Sequence, residues 1–165
     1  MLRIAAALLF TAAGALIGIQ FSEQLKSRRG LCREIGTMLR RSAVLIRSTG
    51  ADVYRLSREL RSCGFEELSF IEKLPERYSS GEDFHELWRK AANEQELGGE
   101  ERDIILRFGD ILGTSDIEGQ LSSIAVLESE IECLERQRTE EYRQKSRLYR
   151  AAGTLFGVML GILII

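Results

Sequence analysis

The sequence is poor in the residues that break helices and in those that carry catalysis. It holds one proline, Pro75, one histidine, His85, and few aromatics. So little proline beside so much Leu, Glu and Arg is the composition of a helical protein. No stretch alternates apolar and polar residues with the period of a strand, whereas helical spacing recurs throughout. His85 has no nucleophile or metal ligand near it in the sequence, so it reads as a partly exposed helix residue rather than a base. The three cysteines, Cys32, Cys63 and Cys133, are odd in number, far apart and in no CxxC spacing. They fit buried thiols in a reducing compartment, not a disulfide framework or a zinc site. Phosphate-loop, dinucleotide-binding and metal-ligand patterns are all missing. The run of Glu128, Glu130 and Glu132 is no acidic site, because residues two apart on a helix point to different faces. A formal net charge of -2 argues against a nucleic-acid binder. The expectation is a non-enzyme with no cofactor and no metal.

What the chain does have is two oily ends. Residues 4–21 and 148–165 are each 18 residues long, and the only charge inside them is Arg150. At about 1.5 Å per helical residue each would span about 27 Å, close to the hydrocarbon thickness of a bilayer. Both read as transmembrane helices. Arg3 and the small residues Ala12, Ala13 and Ala15 offer the alternative of a cleaved signal peptide. Against it, the apolar run continues through Leu16, Ile17 and Ile19, and Lys26, Arg28, Arg29 and Arg33 follow directly. A second basic cluster (Arg136, Arg138, Arg143, Lys145, Arg147, Arg150) precedes the C-terminal stretch. Both clusters flank the same loop, so the positive-inside rule puts the middle in the cytoplasm and both termini outside.

The two ends also carry a packing signal. Gly153, Gly157 and Gly161 recur every fourth residue, and Gly14 and Gly18 repeat that spacing in the first span. Small residues at i and i+4 let helix backbones approach closely in a membrane. The contact could join the spans within one chain or between chains.

The middle reads as a bundle of about six helices, an all-α fold held between two membrane helices. The expected divisions are 1–21 for the first span, 22–134 for the bundle, 135–147 for a polar stalk and 148–165 for the second span. A first helix carries Leu31, Ile35, Met38, Leu39 and Ile46, continues the first span, and ends at Thr49-Gly50. Asp52 starts a second with Val53, Leu56, Leu60 and Cys63, stopped by Gly64. A short third segment over 65–74 places Phe65, Leu68 and Ile71 together. A fourth helix presents Phe84, Leu87, Trp88 and Ala91. A fifth presents Ile104, Ile105, Phe108, Ile111 and Leu112. The sixth is capped by Asp116, keeps an apolar seam through Leu121, Ile124, Leu127, Ile131 and Leu134, and then turns polar. With no breaker before Gly153, residues 116–165 read as one nearly continuous helix. Its polar part, supported by pairs such as Glu141 with Lys145, could dock on a partner.

One run of residues has specific wording. Arg107-Phe108-Gly109-Asp110-Ile111-Leu112-Gly113 is followed by Asp116 and Gln120, with Trp88 upstream. This pattern, with an apolar span at each end, resembles the stage III sporulation protein AB family. The layout agrees over nearly the whole chain, and the specific wording is confined to 104–134. The resemblance implies a protein of endospore-forming bacteria, in the mother-cell membrane around the forespore. It further implies a soluble domain similar to the helical domains of the inner-membrane platform protein of type II secretion and type IV pilus machines. Such platforms engage a cytoplasmic hexameric ATPase and the ring or pilus components across the membrane, so the resemblance implies a place in the channel complex connecting mother cell and forespore. One helical domain and two spans are fewer than a secretion platform has, so a complete platform would need self-association or other subunits.

The same residues have a local reading. Gly109 inside a helix costs roughly 1 kcal/mol relative to Ala, which points to close approach by another helix. Gly113 would end the fifth helix with a positive φ, and Asp116 would cap the sixth. Trp88, Leu112, Gly113 and Asp116 are thus expected as structural. Gly109 and Gln120, with the surface cations Arg28 and Arg29, are the candidates for partner contact. Arg28-Arg29 and Arg40-Arg41 could equally meet lipid headgroups. The leading expectation is a non-enzymatic platform subunit coupling a cytoplasmic ATPase to membrane components. A membrane-anchored adaptor recruiting a cytoplasmic factor is the alternative, and a membrane-bound hydrolase working through carboxylates is remote.

Overall fold

The computed structural model describes residues 2–50, 52–79 and 81–164. Within the two apolar ends, the side chains of residues 2–8, 10, 11, 15, 150, 154, 156–158 and 160–164 fall outside that description. The described residues form five α-helices and one 3-10 segment, with no strand among them. In order these are α1 (Leu2–Thr49), α2 (Val53–Arg61), the 3-10 turn (Ser69–Lys73), α3 (Phe84–Glu94), α4 (Gly99–Ile111) and α5 (Ile117–Ile164). The chain divides into two compact units, Leu31–Glu135 and a terminal unit of Met1–Gly30 with Arg136–Ile165.

In the unit Leu31–Glu135 the helix boundaries follow the capping residues. Gly50 closes α1 at φ 55, its N–H donating to the Ile46 carbonyl at 3.0 Å. Asp52 then caps α2 by accepting from the N–H groups of Tyr54 and Arg55 at 2.9 and 2.8 Å. These are the orphan donors of a helix start, met by a side-chain carboxylate. The expected stripes face inward: Ile35, Met38 and Leu39 of α1, Leu56 and Leu60 of α2, Trp88 of α3, Ile105 and Phe108 of α4, and Ile124, Leu127 and Ile131 of α5 are all buried. Each such large side chain contributes about 1.5–3 kcal/mol on leaving water.

The third segment departs from expectation. Only Ser69–Lys73 is helical, as a 3-10 turn, and Phe70 is buried rather than Phe65. The backbone is held there by side chains from other elements. The Glu34 carboxylate accepts from the N–H groups of Glu66 and Glu67 at 3.1 and 2.8 Å. The Gln95 amide accepts from the Phe70 N–H at 3.0 Å and donates to the Glu67 carbonyl at 2.5 Å. Backbone groups satisfied this way do not require a regular helix.

The terminal unit consists of the 2–30 part of α1 and the 136–164 part of α5. A Cβ added at Gly153 would lie 2.5 Å from the Gly14 carbonyl oxygen and 3.1 Å from the Gly18 Cα. The helices therefore meet backbone to backbone within one chain. The surroundings of Gly157 and Gly161, expected on the same face, fall outside what the structure describes. The rings of Phe21 and Tyr149 are 5.6 Å apart, and the Arg29 guanidinium lies 5.3 Å over the Tyr142 ring. Tyr142, on which Arg29 of α1 lies, falls within residues 135–147, the expected polar stalk. The Glu141–Lys145 pair forms at 3.9 Å. Among the described residues no helix is long and apolar enough to cross a membrane, and much of 4–21 and 148–165 lies outside them.

Candidate functional site

The motif residues converge where α3 crosses α4. Gly109 is buried, and a Cβ there would overlap the Trp88 indole, with Cγ at 2.7 Å. Only glycine lets the ring lie flat on the helix. The indole Nε1 donates to the Ile105 carbonyl at 2.9 Å. One turn earlier, His85 Nδ1 lies 2.9 Å from the Gly109 carbonyl. A carbonyl can only accept, so the ring is held with its proton on Nδ1. One residue after Trp88, Arg89 donates to the Asp110 carboxylate at 2.8 Å. Three side chains of α3 thus bind the last two turns of α4, and His85 meets Gly109, one of the last four carbonyls, which lack a partner within the helix. The Trp88 ring also meets Phe70 and Phe108 edge-on at 5.2 and 5.5 Å, a favoured aromatic geometry.

The turn into α5 is closed by its own residues. Leu112 is buried and Gly113 takes φ 72. The Gly113 N–H donates to Gln120 Oε1 at 3.3 Å, and Gln120 Nε2 donates to the Ser115 carbonyl at 2.8 Å. Asp116 accepts from the Gly119 N–H at 3.2 Å, which is the expected cap. Arg107 ties α4 to α5 through Glu130 and also reaches Asp103 at 2.9 Å. The hydrogen bond from Arg107 holds the Glu130 carboxyl below its ordinary range, and Glu130 in turn raises the guanidinium.

These placements redistribute the expected roles. Trp88 and Leu112 are buried, Gly113 takes a positive φ and Asp116 caps α5. Gly109 is a packing residue with no surface to offer a partner, because the Trp88 ring covers it. Gln120 is half-buried, with both ends of its amide engaged by the 113–115 turn. Arg28 is exposed, and half-buried Arg29 lies on Tyr142. His85 is the participant that sequence reasoning missed; its position one turn before Trp88 was the available signal.

A groove of about 370 Å³ runs between α1 and α2, floored by Val44, Leu45 and Leu60 and rimmed by Arg40, Arg41 and Glu59. Val44 remains 66% exposed, off the inward stripe of α1. Arg41 donates to the Cys63 sulfur at 3.0 Å across one end. No group of three or more His, Cys, Asp or Glu among the described residues could hold a metal ion.

An all-helical bundle pinned by a Trp-on-Gly crossing and a Gly-Asp-Gln turn defines the class. The chain belongs to the stage III sporulation protein AB family, whose model matches residues 3–165. Membership carries a role at stage III of sporulation. No curated protein and no solved structure matches the chain.

Proposed function

We propose that the chain is a non-enzymatic platform subunit of the complex that connects mother cell and forespore. In this reading residues 4–21 and 148–165 cross the mother-cell membrane around the forespore. The bundle then lies in the mother-cell cytoplasm, where it engages a cytoplasmic ATPase and ties it to channel subunits in the membrane.

One observation carries the membrane part of this reading. In the terminal unit Leu16, Ile17, Leu155 and Met159 are each more than half exposed. Exposed apolar area costs about 25 cal/mol per Å² in water and nothing comparable in lipid. The aromatic pair Phe21–Tyr149 then falls where interfacial rings gather, and the basic clusters follow on the cytoplasmic side. Family membership over 3–165 supports the sporulation part.

The test is a pull-down of the affinity-tagged, detergent-solubilised chain from sporulating cells. Recovery of a sporulation ATPase together with channel subunits is expected. Recovery of the chain alone, or with one soluble factor from outside the channel, would favour the adaptor role instead.

A further inference from the structure

A second cavity, of about 300 Å³, lies within the terminal unit between α1 and α5. Its charged lining is Arg28 from α1 with Arg138, Glu141 and Lys145 from α5, and Gln24 adds an uncharged polar group. Glu141 reaches Arg138 at 3.5 Å and Lys145 at 3.9 Å. Three cations face one carboxylate, so the cavity has an excess of positive charge that an anion would neutralise. Arg138 is held in place, its side chain only 12% exposed. The remaining wall includes Phe21 and Tyr149, whose rings meet at the inner ends of the two apolar stretches. Arg28 follows Phe21 by seven residues, about 10 Å of helix. That distance is of the order of the headgroup layer's depth.

We propose that this cavity binds the phosphate of an anionic phospholipid. Arg28, Arg138 and Lys145 bind the phosphate oxygens, while Phe21 and Tyr149 lie against the glycerol and the start of the acyl chains. Basic pockets between membrane helices on the cytoplasmic side suit this chemistry. The aromatic wall favours a lipid over free phosphate, which would gain nothing from apolar contact. The proposal rests on the membrane reading above and adds a lipid preference to it.

The test uses the full chain in nanodiscs of phosphatidylcholine containing a minor fraction of phosphatidylglycerol, with retained lipid read by native mass spectrometry. Selective retention of phosphatidylglycerol is expected. Arg28→Gln and Lys145→Gln should each weaken it about fivefold, with thermal unfolding unchanged, and Lys145→Arg should keep it. Equal retention of both lipids, or wild-type retention by both Gln variants, would overturn the proposal. Displacement by equimolar inorganic phosphate would overturn the lipid as the ligand. Extraction of the wild-type chain from cell membranes by alkaline carbonate separates the two readings. If the chain is released, the membrane reading itself fails. If it stays embedded but shows no lipid preference, only this inference fails.

Discussion

The two units of this protein follow opposite rules although α1 and α5 belong to both. In Leu31–Glu135 the apolar stripes of the two long helices are inside: Ile35, Met38, Leu39, Ile124 and Ile131 are at most 1% exposed. In the terminal unit the same helices bury Gly18, Ser22 and Ser146 and turn Leu16, Ile17 and Leu155 outward. A bundle in water is held by removing apolar area from solvent. Helices in lipid have no such drive and associate through small residues, close backbones and hydrogen bonds. The contrast is what the proposed membrane role requires of α1 and α5, each of which runs through both units. The change falls near Gly30 on α1 and Arg136 on α5.

The largest effect expected from breaking this contrast is at the bundle's crossing point. Trp88→Ala removes a buried ring and its hydrogen bond to Ile105, and should cost about 3–5 kcal/mol. Urea unfolding of the full chain in detergent, followed by circular dichroism, would measure it. Gly109→Ala drives a methyl into the indole of the same crossing and should cost about 1–3 kcal/mol by the same assay. Gly153→Leu should act only on the other unit. It should separate α5 from Gly14 and Gly18, raising amide hydrogen exchange there, while bundle unfolding shifts by less than about 0.5 kcal/mol.

The smallest effect sharpens the bundle's electrostatics. Glu130→Gln removes a pair with Arg107 that is 41–42% exposed, so solvent screening limits the loss to about 0.2–1 kcal/mol. Glu130 ionises more readily folded than unfolded. Its contribution is therefore complete above the ordinary glutamate range and disappears as pH falls through the lowered folded value. Wild type and Glu130→Gln should differ in Tm at neutral pH and converge in acid.

Local signals in the sequence were enough for much of the fold. Gly113, Asp116, Gly50 and Asp52 sit where their own φ or side-chain oxygen does the work, so position alone identifies them. The apolar stripes of α1, α4 and α5 were equally readable, because helical period and burial coincide. The 65–74 segment was not, because its conformation depends on Glu34 and Gln95, which are remote in sequence. The spacing marks Gly109 as a close-approach residue, yet which ring approaches it depends on the crossing of α3 with α4. The contacts of Gln120 are not legible for the same reason: its acceptor and donor meet Gly113 and Ser115 only once the turn has closed. The α1–α2 groove was hidden because Val44 looks ordinary until its neighbours are placed.

The central claim, one chain built for water and lipid, is tested most directly by cysteine accessibility in membranes from sporulating cells. Two variants would be prepared with the native cysteines replaced, one keeping only exposed Cys133 of the bundle and one carrying only Leu16→Cys. After the cells are opened, a water-soluble maleimide should label Cys133 readily and leave position 16 unlabelled until detergent is added. Equal labelling of both positions before detergent would contradict the account.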